Sequence, residues 1–219
     1  MKSTMLAISA AALMFAATAS AQQQDFSKVD IKTTDLGNKT YMLEGAGGNI
    51  TVAVGADAIL VVDTQYALLH DKIKAAIAQI SPLPVRYVVN THYHGDHTGG
   101  NEAFAKEGVA IVAHDNVKKR LNEGSTNALT GAKTAPAPAN APTMPYSDKA
   151  NVAVKGRTLQ IAHPANAHTD GDTYVFFQDA NVLSTGDIVS IGNRYPNIDV
   201  GVNGNIKGIT GAVDTYLKL

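Results

Sequence analysis

Eleven residues limit what this chain can become: Asn90-Thr91-His92-Tyr93-His94-Gly95-Asp96-His97-Thr98-Gly99-Gly100. Three imidazoles and a carboxylate fall within six positions, directly after Val85–Asn90, which has the composition of a strand. His92 and His94 are two apart, so at a strand end they point to the same side. Gly95 lets the backbone bend sharply, and the bend brings Asp96 and His97 to a neighbouring position opening a helix. Gathered on one turn without a cation, such groups would be electrostatically awkward. The spacing suits two neighbouring metal ions better than one, because a single tetrahedral ion with an open position needs only three protein ligands. The chain contains no cysteine. That excludes disulfides, thiolate nucleophiles and thiolate ligands together, so a transition metal must be held by imidazole and carboxylate.

The pattern around this stretch is layered. Lys39–Glu44, Asn49–Val54 and Ala58–Asp63 read as strands in a β-rich run over 26–63, with turns at Gly45–Gly48 and Gly55-Ala56-Asp57. Ala58–Val62 is apolar throughout, as expected of a strand buried on both faces. Leu69, Ile73, Ile77 and Ile80 recur at helical spacing and predict a helix over 66–80, ended by Pro82 and Pro84. Gly99–Glu107 reads as a short helix stopped by Gly108, Val109–Ala113 as a strand, and Asp115 as the cap of a helix running to Leu121. Strand and helix alternate, which argues for an α/β architecture. Residues 122–148 interrupt it with four of the eight prolines. They read as a loop, either a passive connector or a substrate flap. Strands resume near Val152–Val154, Thr158–Ala162, Thr173–Phe177 and Val182–Ser184, and Ile206, Ile209, Val213 and Leu217 predict a last helix.

The N-terminus has a different character. Lys2, the apolar run Met5–Ala17 and Ala19-Ser20-Ala21 fit a signal peptide over 1–21, leaving a domain over 26–219 exported, on this pattern, to a bacterial periplasm. A membrane anchor is the alternative, but the run is shorter than the ~20 residues a span needs. No membrane association is expected after cleavage. At 45% apolar and 17% charged residues, the 219-residue chain is an ordinary folded protein, long enough for one substantial core. Its net charge is −1 and no basic block stands out, so a nucleic-acid partner is not expected and a small-molecule substrate is. There is no Gly-x-Ser-x-Gly elbow and no Ser-x-x-Lys with its partner motifs. Gly45-Ala46-Gly47-Gly48 lacks the third glycine of a dinucleotide fingerprint and reads as a hairpin turn.

His92-Tyr93-His94-Gly95-Asp96-His97 resembles the HxHxDH signature of the metallo-β-lactamase superfamily, and the resemblance extends over about 30–219. Ala167-His168-Thr169-Asp170-Gly171-Asp172 is similar to the family's third-histidine segment, and Ser184-Thr185-Gly186-Asp187 to its bridging-aspartate segment. The resemblance implies an αββα sandwich with two zinc ions. His92, His94 and His168 would hold the first zinc, Asp96 and His97 the second, and Asp187 would bridge them. Asp96 would also orient the nucleophilic water. Asp63 resembles a family aspartate beside the site, with structural capping the other reading. Arg194 and Tyr195 either line the pocket or belong to a surface loop. Asp170 and Asp172 read as turn or hydrogen-bonding residues, and His70, His114 and His163 as structural or solvated. The family usually carries one more histidine on a later strand. None follows His168, so the expectation is a chain lacking the last strand and helix, with an incomplete second zinc site.

The function implied is zinc-dependent hydrolysis, by water made reactive at the metal, of a small ester, thioester, lactone or amide. The alternatives are a class B-type β-lactamase, an iron-dependent oxidoreductase on the same fold, and an inactive metal-binding fragment. An aspartate at position 187 resembles the glyoxalase-II-like and lactonase-like branches more than the lactamases.

Overall fold

A computed structural model of the chain describes residues 25–128, 130–192 and 195–219. The 1–21 segment and Arg194 lie outside them. In chain order the elements are β1 (Lys32–Gly37), β2 (Thr40–Glu44), β3 (Ile50–Val54), β4 (Ile59–Val62), α1 (His70–Ile80), β5 (Val85–Val89), α2 (Gly95–Thr98), α3 (Asn101–Lys106), β6 (Ala110–His114), α4 (Asp115–Glu123), the two-residue strands β7 (Ser125–Thr126) and β8 (Lys133–Thr134), β9 (Met144–Tyr146), β10 (Leu159–Ala162), β11 (Tyr174–Phe177), β12 (Val182–Ser184) and α5 (Ile206–Tyr216).

Seven strands form a mixed sheet in the order β1-β2-β3-β4-β5-β6-β9, antiparallel from β1 to β4 and parallel from β4 to β9. A second, antiparallel sheet runs β10-β11-β12. The uninterrupted apolar run of β4 follows from its place between two cores. Ile59 and Val61 pack with Leu69 just before α1, Ile73 and Ile77 of α1 and Phe104 of α3. Leu60 and Val62 face Ile161, Val175 and Phe177 of the second sheet. Tyr216 of α5 packs on the outer face of that sheet against Tyr174 and Phe176. The layers are therefore helix, sheet, sheet, helix: the expected αββα sandwich. Each fully buried aliphatic side chain in it contributes about 1.5–3 kcal/mol over an exposed one. Among the described residues, no helix is long and apolar enough to cross a membrane.

Several local expectations are corrected. The stretch Val152–Val154 forms no strand, because its apolar residues serve the inter-sheet core as an irregular segment, with Val154 buried. Residues 122–148 contain β9, which extends the large sheet at its edge, where Pro145 costs no ladder bond. The cap of α4 is His114, whose Nδ1 accepts from Asn116 N at 3.2 Å; Asp115 is the first helical residue. The strand β1 gives no strong apolar signal because it is an exposed edge. The turn at 45–48 does close the β2–β3 hairpin.

What the architecture does for function is set by parallel pairing. β4 and β5 run side by side, so their C-terminal ends emerge together and Asp63 N donates to Val89 O at 2.9 Å. Asp63 and the histidine-bearing bend are thereby brought together at the C-terminal ends of these central strands, the place where open α/β sheets bind ligands.

Candidate metal centre

Three histidines meet at a point. His92 Nε2 lies 3.0 Å from His94 Nδ1, and His168 Nε2 lies 3.1 Å from the same nitrogen. Each ring is fixed by what its other nitrogen touches. His168 Nδ1 donates to the carbonyl of Asn197 at 2.7 Å. His94 Nε2 donates to Asp199 Oδ2 at 3.1 Å. The single hydroxyl proton of Thr91 goes to Asp63 Oδ2 at 2.7 Å, so Thr91 Oγ1 faces His92 Nδ1 as an acceptor at 3.1 Å. All three outer nitrogens therefore carry the protons. The three that face one another present bare lone pairs, which repel unless a cation sits among them. Burial and the neighbouring rings hold His92 well below the ordinary imidazole pKa, and burial lowers His168. Protons are thus poorly suited to fill the gap.

A second group adjoins the first. His92, His97 and Asp187 offer ligand atoms within 4.8 Å of one another, as do His92, His94 and His168. His97 Nδ1 donates to Asp63 Oδ2 at 2.8 Å. Its Nε2 is buried and makes no hydrogen bond. That nitrogen faces Asp187 Oδ1 at 3.2 Å and Asp96 Oδ2 at 3.6 Å, near enough for charge attraction. Burial opposes a charge on His97, but the Asp63 and Asp187 carboxylates outweigh it and push the ring's pKa up to about 10. The surroundings call for positive charge at this spot, which a metal ion supplies as well as a proton does. Asp187 Oδ2 lies 3.9 Å from His168 Nε2, so the two oxygens of Asp187 face the two groups. The donor set fits divalent metal at both.

Close backbone approach makes this possible. An added Cβ at Gly48 would stand 2.2 Å from His97 Cε1, and one at Gly186 would stand 2.6 Å from Thr91 Cβ. Gly186 also takes φ +54°, in the left-handed region, placing Asp187 on the turn after β12.

The match to known proteins agrees with this arrangement. The model of the metallo-beta-lactamase superfamily matches residues 43–218. The chain belongs to the metallo-β-lactamase superfamily. That superfamily is metal-binding. The chain is 25% identical over 149 residues to the 2,4-dinitroanisole O-demethylase subunit alpha of Nocardioides sp. (strain JS1661). That match takes 66% of this chain and 42% of the relative, so the chain spans less than half of the relative's length. Its fold is similar to that of a metallo-beta-lactamase from Pontibacter korlensis (TM-score 0.66, 18% identity, 86% of each chain covered). It is also similar to the metallo-beta-lactamase IND-7 (0.68, 18%, 89% of this chain and 88% of that one). A third likeness is to BJP-1, a subclass B3 metallo-beta-lactamase of Bradyrhizobium japonicum (0.62, 20%, 86% and 73%). At these identities the likeness concerns the fold.

The residues singled out on the family signature come together in this way. His92, His94, His168, His97 and Asp187 converge, Asp96 lies at the rim of the second group, and Asp63 holds His97 from behind. Tyr195 is 96% exposed and does not line the cavity beside the cluster. Asp170 pairs with Arg120 of α4, and Asp172 accepts from Thr169 N and Oγ1, which fixes its own turn. His70 pairs with Glu107, and His114 stacks on His163 at 3.8 Å; neither ligand group includes them. Two contributors carried no signal in the sequence: Asn197, through its backbone, and Asp199. The segment carrying them is pinned to the third histidine, with Asp199 N donating to His168 O at 2.9 Å.

Proposed function

We propose that the chain is a zinc-dependent hydrolase acting on a small ester, thioester, lactone or amide. The observation that carries this reading is the convergence of three bare imidazole nitrogens, from His92, His94 and His168, with Asp187 spanning to the adjoining group that it forms with His92 and His97. His92, His94 and His168 would hold one ion, and His97, Asp187 and Asp96 a second. Zinc bound there supplies Lewis acidity, which makes water nucleophilic near neutral pH and polarises a carbonyl.

The chain's own residues do the positioning. Asp63, Thr91, Asp199 and the Asn197 carbonyl lock each ring so that its free nitrogen points inward. Asp96, one-third exposed at the cavity wall, would orient a water and accept its proton. An imidazole-dominated donor set without thiolate suits zinc. Metal analysis of protein from its source tests zinc against iron.

The test is metal content measured beside turnover of a panel containing an aryl ester, a thioester, a lactone and an amide. Stripping with a chelator should abolish activity, and zinc should restore it. Turnover that survives complete demetallation, or zinc-loaded protein inert on the whole panel, overturns the reading. A β-lactamase is the second reading, supported by the fold likeness to enzymes so named, and nitrocefin belongs in the panel. The relative named as an O-demethylase adds an aryl methyl ether.

A further inference from the structure

A cavity of about 730 Å³ opens beside the second metal group, and its walls are of two kinds. Near the cluster stand Asp63, Asp96, His97 and Asp187. Away from it the large side chains are apolar: Leu36 and Met42 from the β1–β2 hairpin, and Val182, Leu183, Val189 and Ile191 from β12 and the loop after Asp187. Three of these are held out to water, with Leu36 38%, Val189 41% and Ile191 95% exposed. An isolated exposed aliphatic needs no explanation, but several from a strand of the large sheet and from the loop after Asp187, lining one cavity beside a metal centre, do. The polar groups among them, on Asn49, Thr51, Ser184 and Ser190, are uncharged. Among the described lining residues there is no lysine or arginine.

We propose that this cavity takes the neutral, apolar acyl group of the substrate, so that the preferred substrates are uncharged esters or thioesters of alkyl or aryl carboxylic acids. This rests on the hydrolase reading above. Hydrolysis adds water across the acyl–oxygen or acyl–sulfur bond and releases the carboxylic acid and the alcohol or thiol. Negative charge develops on the leaving atom, and an apolar wall would disfavour it there. The acyl chain beyond the carbonyl stays neutral throughout and gains from leaving water. An anionic substituent on that chain, held against the apolar walls away from the cluster, would lose its hydration.

The test uses the zinc-loaded full chain and 4-nitrophenyl esters of one leaving group: acetate, butyrate, hexanoate, and the adipate half-ester, whose chain ends in a carboxylate. The expected kcat/KM rises at least about tenfold from acetate to hexanoate. It falls at least about tenfold from hexanoate to the carboxylate-ended ester. L36D and I191D should each shrink the hexanoate-to-acetate ratio. Calorimetry gives a readout free of catalysis: metal-free protein should bind hexanamide more tightly than acetamide, with a negative heat-capacity change. Turnover that is flat along the series, or a preference for the half-ester, overturns the proposal and leaves the hydrolase reading standing. Zinc-loaded protein inert on these esters and on the whole panel above that still binds hexanamide in preference to acetamide overturns the hydrolase reading and supports the cavity's role. Equal binding of the two amides counts against the cavity.

Discussion

Asp63 Oδ2 stands 2.8 Å from Nδ1 of His97, with each side chain only 2% exposed. The same carboxylate accepts from Thr91 N and Thr91 Oγ1, both at 2.7 Å. One residue at the end of β4 thus fixes the ring of His97 directly and the ring of His92 through a hydroxyl. Asp63 sits at φ +66°, a left-handed conformation that aspartate and asparagine tolerate better than alanine. Replacing Asp63 with asparagine keeps that preference and removes the charge. D63N should lower metal affinity about 10–100-fold, the usual cost of losing a partner behind a ligand. Competition against a chromogenic chelator measures it. D63A should lose as much affinity and also unfold at lower urea. Wild-type affinity in D63N would mean that Asp63 only shapes the turn.

A second carboxylate does for His94 what Asp63 does for His97. Asp199 Oδ2 accepts from His94 Nε2 at 3.1 Å and from the Tyr93 hydroxyl at 2.7 Å, while Oδ1 takes Gly201 N at 3.1 Å. Burial alone would raise the pKa of Asp199, but the bonds from Tyr93 and His94 prevail and lower it, so the group is ionised at neutral pH. D199A should weaken the first metal group about 10–100-fold. Y93F removes one donor without freeing the His94 ring and should change affinity far less. Equal losses in the two variants would assign the effect to the packing of the 197–205 segment, not to the ring.

The two carboxylates differ in how far the chain betrays them. Asp63 ends an apolar strand one register away from the histidine strand, so it could be read as a neighbour of the centre. Asp199 could not, because it reaches His94 only where the chain returns more than a hundred residues later. Asn197 acts through its carbonyl, which any residue supplies. The layered fold was legible because β4 and α1 carry strong apolar periods. The strand β9 was not, since proline-rich composition hides three residues that pair only because they meet a sheet edge. Val152 and Val154 misled in the opposite sense: apolar alternation marks burial, and here burial came without pairing.

Gly48 sets how close the β2–β3 turn can lie to the second metal group. A Cβ there would stand 2.2 Å from His97 Cε1 and 2.7 Å from its Nε2. The ring cannot retreat easily, since Asp63 grips its far nitrogen. The turn is also tied down, with Gln65 Nε2 donating to Gly48 O at 2.7 Å. G48A should therefore displace His97, costing about 1–3 kcal/mol of stability. On the proposed two-ion reading it should reduce the metal bound by one ion, the group of His92, His94 and His168 keeping its own. Elemental analysis after dialysis, with a urea titration beside it, checks both. Two ions retained at full affinity would show that the turn moves freely.

His114 offers a pH response separable from the metal ligands. Its Nδ1 accepts from Asn116 N and caps α4, while its ring stacks on His163 at 3.8 Å. Burial first, then the neighbouring His163, lowers its pKa below the ordinary value near 6.5. A group depressed in the folded state adds stability that is present above its unfolded pKa. That stability is lost as pH falls below about 6.5 and through the lower folded value. Protonation also removes the lone pair that forms the cap, worth ~1 kcal/mol. Asparagine caps a helix without titrating in this range, so H114N isolates the effect. With metal removed by chelator, the urea midpoint of wild type should fall more steeply than that of H114N between pH 7.5 and 5. The histidines of the candidate metal centre are the same in both proteins and cancel in the comparison. Parallel curves would mean that His114 takes up its proton without cost to the fold.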